Sequence, residues 1–259
     1  MALVFVGFWG LSRLKAARVV FLLVASYFFY AVANPWFLTL ILVSTVTDYF
    51  AGLQMKRADG TGDEGRRKAW LTVSLVLNLG LLGVFKYANF FYSSAVDIAN
   101  VFGAELIFER LAIMLPAGIS FYTFQTMSYS IDVYRRRMEP EENFLRFALF
   151  VGYFPQLIAG PIVRAVDFVP QLSKRPVLTR AQVSRAMYLI GIGLTKKVLF
   201  ADTLGLNLVD PVFNSPEQYT SLEALIALYA YTMQVYLDFS AYSDIAIGSA
   251  LLFGFQLPD

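Results

Sequence analysis

The chain has no cysteine and no histidine. The first absence excludes disulfides, thiolate catalysis and Cys-based metal sites. The second removes the commonest general base and the commonest metal ligand. Charge is also scarce: 15% of the 259 residues are Asp, Glu, Lys or Arg, against 58% hydrophobic, and mean hydropathy is +0.58. A water-soluble domain of this length needs more charge to cover its surface. Long apolar runs recur along the chain and point to an all-α, polytopic membrane helical bundle whose first partner is the lipid bilayer.

Met1–Leu11 reads as a short, retained first span, with no preceding basic residue and no cleavage site of small residues. Val19–Ala33 and Trp36–Leu53 follow, separated by the turn signal Asn34-Pro35. Trp70–Phe85 is another span. Tyr87–Phe102 either lies in the interface or continues that helix. Leu111–Tyr134 is long enough to cross. Phe144–Ile162 is apolar but broken by Pro155, Gly160 and Pro161. Gln182–Ala201 and Gln218–Phe255 complete the set, the last expected to hold more than one helix.

Basic residues give orientation. They cluster at Lys56–Lys68, at Arg135–Arg137 and between Arg164 and Arg185, while Asn34-Pro35 and Asp202–Glu217 have none. The positive-inside rule places the basic loops in the cytoplasm. Phe144–Ile162 lies between two of them, so it is expected to be re-entrant, dipping into the membrane and returning. Breaks in helix at that depth require protein or a wet cavity around them. The alternative is a full crossing with one basic loop on the opposite side.

Several motifs resolve into ordinary features. Gly60–Gly65 (GTGDEG) matches a G-x-G-x-x-G pattern, but no strand precedes it and Asp63-Glu64 repels phosphate. Gly191-x-Gly193 fits helix packing. No nucleophile elbow occurs, no internal repeat suggests a transporter, and nothing points to nucleic acid.

Polar residues inside apolar segments remain, and these usually face a bundle interior or a water-filled path. Ser120, Gln125, Ser128 and Asp132 share roughly one helical face, with Tyr122 and Tyr129 beside it. Arg146, Gln156 and Arg164 lie around the broken segment, with Pro161 among its breakers. The stretch YLDFSAYSD carries Tyr236, Asp238, Ser240, Tyr242 and Asp244. Its two aspartates are six apart, off a common helical face, so a bend would be needed to turn both toward one cavity. Interhelical hydrogen bonding, helix kinking and headgroup contacts at helix ends are the structural alternatives, and snorkelling is the simplest role for Lys196 and Lys197. The residues leave enzyme and transporter both open.

Four stretches together resemble the membrane-bound O-acyltransferase (MBOAT) family, in its alginate O-acetyltransferase branch. They are LPAGISFYTFQTMSYSIDVYRR (Leu115–Arg136), NFLRFALFVGYFPQLIAGPIVR (Asn143–Arg164), GLTKKVLFAD (Gly193–Asp202) and YLDFSAYSDIAIG (Tyr236–Gly248). Ala25–Phe50 fits the family's early helices. The resemblance implies one transmembrane domain, of which residues 1–259 are the N-terminal part. It implies a multi-pass enzyme of the cytoplasmic (inner) membrane. Its donor would be acetyl-CoA or a similar acyl donor on the cytoplasmic side, its acceptor an extracytoplasmic polysaccharide, and its partner a periplasmic acetyltransferase. No bound cofactor or metal is implied. The family's histidine belongs to a WRRWHISLS-like segment a few tens of residues past the YSD motif, which places it beyond Asp259. No catalytic residue is therefore expected within this chain, which reads as truncated before the catalytic half. Gln125, Tyr129, Asp132, Gln156, Pro161, Arg164, Tyr236, Asp238, Ser240, Tyr242 and Asp244 are the candidates for a substrate path. A transporter-like module and a non-catalytic remnant are the competing readings.

Overall fold

The computed structural model describes residues 1–104, 107, 111 and 113–258. Its regular elements are helical throughout the described residues, in keeping with the apolar periodicity. The helices are α1 (Ala2–Gly10), α2 (Lys15–Ala33), α3 (Phe37–Thr61), α4 (Glu64–Val101), α5 (Ile119–Tyr134), α6 (Phe144–Gly152), α7 (Ala165–Ser173), α8 (Arg180–Thr195), α9 (Asp202–Leu204), α10 (Asp210–Asn214) and α11 (Ser221–Leu252). Two π-helical turns, Lys196–Ala201 and Gly205–Val209, join α8, α9 and α10 into one continuous helical path. Among the described residues, three helices are long and apolar enough to cross a membrane: Lys15–Val32, Phe37–Thr61 and Glu64–Val101.

Contacts divide the chain into two compact units. One comprises Met1–Arg18, Ala159–Val163 and the chain from Ser173 onward; the other comprises Val19–Ile158 and Arg164–Leu172. In the first unit, α8 and the path that continues it lie along α11. Glycines allow the approach. A Cβ on Gly193 would meet Ile245 at 2.7 Å and the Ala241 carbonyl at 2.8 Å, and one on Gly248 would meet the Ala186 carbonyl at 2.8 Å. This small-residue packing is the role expected of Gly193, whereas Gly191 has open space around it. Helix α1 is held to the end of α11 by Phe8, which is edge-on to Phe253 and Phe255, and by Trp9 Nε1, which donates to the Leu252 carbonyl.

In the second unit α3, α4 and α5 pack on one another. Arg67 is buried and ties their ends together. Its Nε lies 3.1 Å from Asp59, and its Nη2 donates at 2.6 Å to the carbonyl of Tyr134, one of the orphan acceptors ending α5. That end is a Schellman turn: Arg137 N–H bonds Asp132 O, Arg136 N–H bonds Val133 O, and Arg136 takes the left-handed conformation usually given to glycine.

Of the two courses open to Tyr87–Phe102 the structure takes the second: the stretch continues α4 to Val101, making it 38 residues, about 57 Å at 1.5 Å per residue. Two expectations need correction. Leu111–Tyr134 is helical only from Ile119, because Pro116 removes a donor and Gly118 sits at φ +74°; Ala112 lies outside the described residues. Asp202–Glu217, which carries no basic residue, is mostly helix. Gln218–Phe255 holds one unbroken α-helix of 32 residues, started by a Thr220–Glu223 capping box, with no bend in the DFSAYSD run. Helix α6 has nine residues, roughly 13 Å, less than half of a bilayer's apolar thickness of about 30 Å, and the chain from Tyr153 to Arg164 is non-helical. Asp259, the position past which the family's histidine is expected, lies outside the described residues, which end at Pro258.

Gly118 is the sharpest local constraint. A Cβ there would collide with the backbone carbonyl of Leu157, and its positive φ disfavours any L side chain. Gly118→Ala is expected to destabilise the protein by about 1–3 kcal/mol, read as a lower thermal midpoint in detergent. Gly191→Ala, in open space, is expected to leave that midpoint in place.

Candidate functional site

The polar residues of each unit form a separate constellation. In the first unit, the π-helical turn after Thr195 carries Lys196 and Lys197. Widening from 3.6 toward 4.4 residues per turn brings consecutive side chains closer to a common face, and π-turns recur at functional sites. Lys196 Nζ donates to Ser240 Oγ at 2.8 Å and lies 2.7 Å from Asp244 Oδ2. Lys197 Nζ lies 2.6 Å from Asp238 Oδ1 and 2.8 Å from Asp202 Oδ1. The two aspartates of the YLDFSAYSD stretch are thus served separately, one lysine each, from an unbroken α11. Both lysines are ion-paired across the helix interface and are not simple snorkelling cations. Ser240 and Asp244, one turn apart, share the Lys196 ammonium; Tyr242 is half-buried nearby on α11. Tyr236 and Asp238 are exposed, as are the apolar residues Val235 and Phe239 of the same helix and Leu199 and Phe200 of the π-turn. Pro161 is half-buried in the non-helical segment.

In the second unit, Asp132 is buried at the end of α5. Arg164 Nη2 meets both of its oxygens, at 2.6 and 2.7 Å, and Arg137 lies 3.9 Å away. Hydrogen bonding to the Asp132 carboxylate raises the pKa of the half-exposed Arg164 above its ordinary value. One carbonyl, that of Phe150 near the end of α6, accepts from Gln125 Nε2 at 2.8 Å and from Gln156 Nε2 at 2.9 Å. These two amides satisfy a helix end that breaks within an apolar segment. Tyr129 is fully buried against Phe147, and its hydroxyl accepts from the Glu141 backbone N–H at 3.2 Å. Gly52 leaves room for that hydroxyl: a Cβ there would come within 2.6 Å of it. Among the exposed groups beyond α5, Glu142 is held below the usual carboxylate range by its hydrogen bond from Lys56.

The expected single face of α5 is divided. Gln125 reaches Phe150, Asp132 reaches Arg164, and Ser128 bonds back to the Gln125 carbonyl of its own helix. Thr126 and Ser130 serve a carboxylate that the sequence does not single out, Asp48 at the middle of α3. Asp48 accepts from Ser74 Oγ, from Asn78 Nδ2 at 2.8 Å and from Ser130 Oγ at 3.2 Å; Ser44 and Thr126 both donate to Asn78 Oδ1 behind it.

Comparison with known proteins decides the family. The chain is 42% identical over 253 residues to the probable alginate O-acetylase AlgI of Pseudomonas aeruginosa, covering 98% of this chain and 47% of that protein. It is 42% identical to the protein of the same name from Azotobacter vinelandii, over 96% of this chain and 49% of the relative. It is 33% identical to the peptidoglycan O-acetyltransferase of Helicobacter pylori, over 98% of this chain and 52% of the relative. The chain belongs to the membrane-bound O-acyltransferase family, in its alginate O-acetylase-like branch. It spans about half the length of the curated relatives it matches. No family-level sequence profile matches it. A weaker likeness to the teichoic acid D-alanyltransferase of Lacticaseibacillus rhamnosus, 27% identical over 183 residues, covers 66% of this chain and 45% of that protein.

For an acyltransferase-family chain, paired charges on α11 and the π-turn leave few unpaired ions in the apolar bundle while keeping Asp238 and Lys197 at its surface. No group of three or more His, Cys, Asp or Glu suited to a metal ion occurs among the described residues. The Lys196–Asp244 pair is only 28% and 19% exposed. Breaking it by Lys196→Met alone leaves a partly buried carboxylate. The expected cost lies between the ~1 kcal/mol of exposed pairs and the ~3–5 kcal/mol of buried ones. Adding Asp244→Asn is expected to recover much of it, as read from thermal midpoints around the double-mutant cycle. Additive losses would show that the pair does not act as a unit.

Proposed function

We propose that this chain forms part of a membrane enzyme that passes acetyl groups from a cytoplasmic donor such as acetyl-CoA to an extracytoplasmic polysaccharide such as alginate. The observation that carries this reading is the 42% identity to probable alginate O-acetylases across 98% of the chain. Residues 1–259 belong to a single transmembrane domain of the inner membrane, crossing it several times, and Phe144–Ile162 is its re-entrant element. The nine-residue α6 and the non-helical stretch after it support that element. The histidine that would activate the acceptor hydroxyl belongs to sequence past Asp259, a reading supported by the chain's match to about half of its relatives' length. A periplasmic acetyltransferase acts as partner beyond the membrane step.

Within this chain, Tyr236, Asp238, Ser240, Tyr242 and Asp244 line one part of the substrate path. The exposure of Asp238 and Lys197 amid apolar side chains supports this, because charged groups at membrane depth need a wet or protein-lined surface. Gln125, Tyr129, Asp132, Gln156, Pro161 and Arg164 hold the broken segment and its entrance in shape. Arg164 offers a guanidinium suited to a donor phosphate.

Deleting the gene in its native cell and quantifying ester-linked acetate on exopolysaccharide and on peptidoglycan tests the reading. Loss from one polymer supports it and names the acceptor; unchanged acetate on both overturns it. In complemented cells, Asp238→Asn and Asp244→Asn are expected to lower acetate about tenfold, ~1.4 kcal/mol in the transfer barrier, with membrane insertion intact. Full acetate in either variant removes that residue from the path.

Topology has its own test, in which residues 1–259 contribute no cysteine of their own. Ser173→Cys is expected to react with a membrane-impermeant maleimide only from the cytoplasmic side. Labelling of intact cells from outside would overturn the re-entrant assignment.

A further inference from the structure

Asp48 is twelfth of the 25 residues of α3, the middle of a helix long and apolar enough to span a bilayer. Its side chain is fully buried. Every partner it has among the described residues is a neutral side chain: the Ser74 and Ser130 hydroxyls on Oδ1, the Asn78 amide on Oδ2, and the Thr126 hydroxyl beside them. No ion pair reaches it among the described residues.

The cations on the packed helices are engaged elsewhere or lie exposed, as Arg57, Lys68 and Lys86 do. Lys56, two turns along α3, holds Glu139 and Glu142. Arg67, two turns before Ser74 on α4, holds Asp59, Glu64 and the end of α5. On the α5 side, Arg136 pairs with Asp59 and Glu64, Arg137 approaches Asp132, and Arg135 lies exposed beyond the last turn. The one other titratable side chain of α5 that faces Asp48 is Tyr129, a buried phenol. An ionised carboxylate here would be a net charge at the centre of an apolar bundle, compensated by nothing but dipoles, which is a costly arrangement.

We propose that Asp48 is a proton-binding site of the membrane bundle and is occupied by its proton, so that the group at the centre of α3–α4–α5 is a neutral carboxylic acid. The geometry also says which oxygen carries the proton. Asn78 Nδ2 is fixed toward Oδ2 because it donates as well to the Ser74 carbonyl at 2.9 Å, while Asn78 Oδ1 is taken by the Ser44 and Thr126 hydroxyls. Oδ2 therefore keeps a donor facing it. Oδ1 faces the Ser74 and Ser130 hydroxyls, which can turn from donor to acceptor. The proton sits on Oδ1 and is shared with Ser130 or Ser74. No bond is made or broken beyond that O–H, and the inference stands apart from the acetyl-transfer reading.

The test is infrared spectroscopy of the full chain in lipid nanodiscs at neutral pH. The difference spectrum between wild type and Asp48→Asn is expected to contain one carboxylic-acid C=O stretch that shifts on exchange into D2O. A carboxylate stretch in its place would overturn the proposal. If Asp48→Asn does not insert, the wild-type protein labelled with carboxyl-13C aspartate answers alone. One aspartate resonance is expected to stay at its acid position at neutral pH while the exposed ones read as carboxylates. No acid resonance at neutral pH overturns the proposal, whether or not added sodium moves the spectrum.

Discussion

Within an apolar bundle, a polar group that water cannot reach must find its partner inside the protein. The features of this structure that look unrelated in the sequence answer to that one demand. The end of α6 breaks where a membrane helix would normally continue, and two glutamines, 25 and six residues from Phe150, converge on its carbonyl. The end of α5 is closed by a Schellman turn and by a buried arginine from α4. Each unmet carbonyl would cost about 1–3 kcal/mol, so these side chains determine where helices are able to stop.

The same demand governs charge. Asp132 meets Arg164, Asp244 meets Lys196, and Asp238 meets Lys197. The consecutive lysines depend on the π-turn that begins at Lys196, and the turn depends on glycines that let α8 and its continuation lie close to α11. Gly193 and Gly248 admit backbone contact, and Gly205 admits the Gln234 side chain. Packing and electrostatics are linked here: a methyl group at Gly193 would push away the helix that carries Asp244.

Much of this is legible in the sequence, and what is not has physical causes. Composition and apolar runs place the chain in a membrane, and Asp132, Arg164, Asp238 and Asp244, singled out in the sequence, all form ion pairs. Helix ends are harder to read. Pro116 and Gly118 shorten α5 by a local effect that an apolar window does not register, whereas the polar run at Tyr236–Asp244 does not break α11, because its charged side chains have partners across the interface. Asp48 is hidden for a different reason. Its partners Ser74, Asn78 and Ser130 lie 26, 30 and 82 residues away on two other helices. A lone aspartate among threonines and valines looks like a helix end until those helices are packed.

Asp48 also separates two ways of tolerating a carboxylate at membrane depth. Asp132 and Asp244 are matched by cations that can exchange with water, being near a helix end or at a partly open surface, so their charges persist at modest cost. Asp48 has dipoles around it and no cation, and it sits where three helices meet. A carboxylate so placed does little for the attraction between helices that a hydroxyl or amide would not do, unless it also donates. A neutral acid donates and accepts at once, and so links hydroxyls on α4 and α5 through one side chain on α3. That double capacity gives a physical reason for an acid at this position: it offers one donor and keeps its acceptors, where asparagine, its oxygen turned to Asn78 Nδ2, would present only N–H donors to the Ser74 and Ser130 hydroxyls.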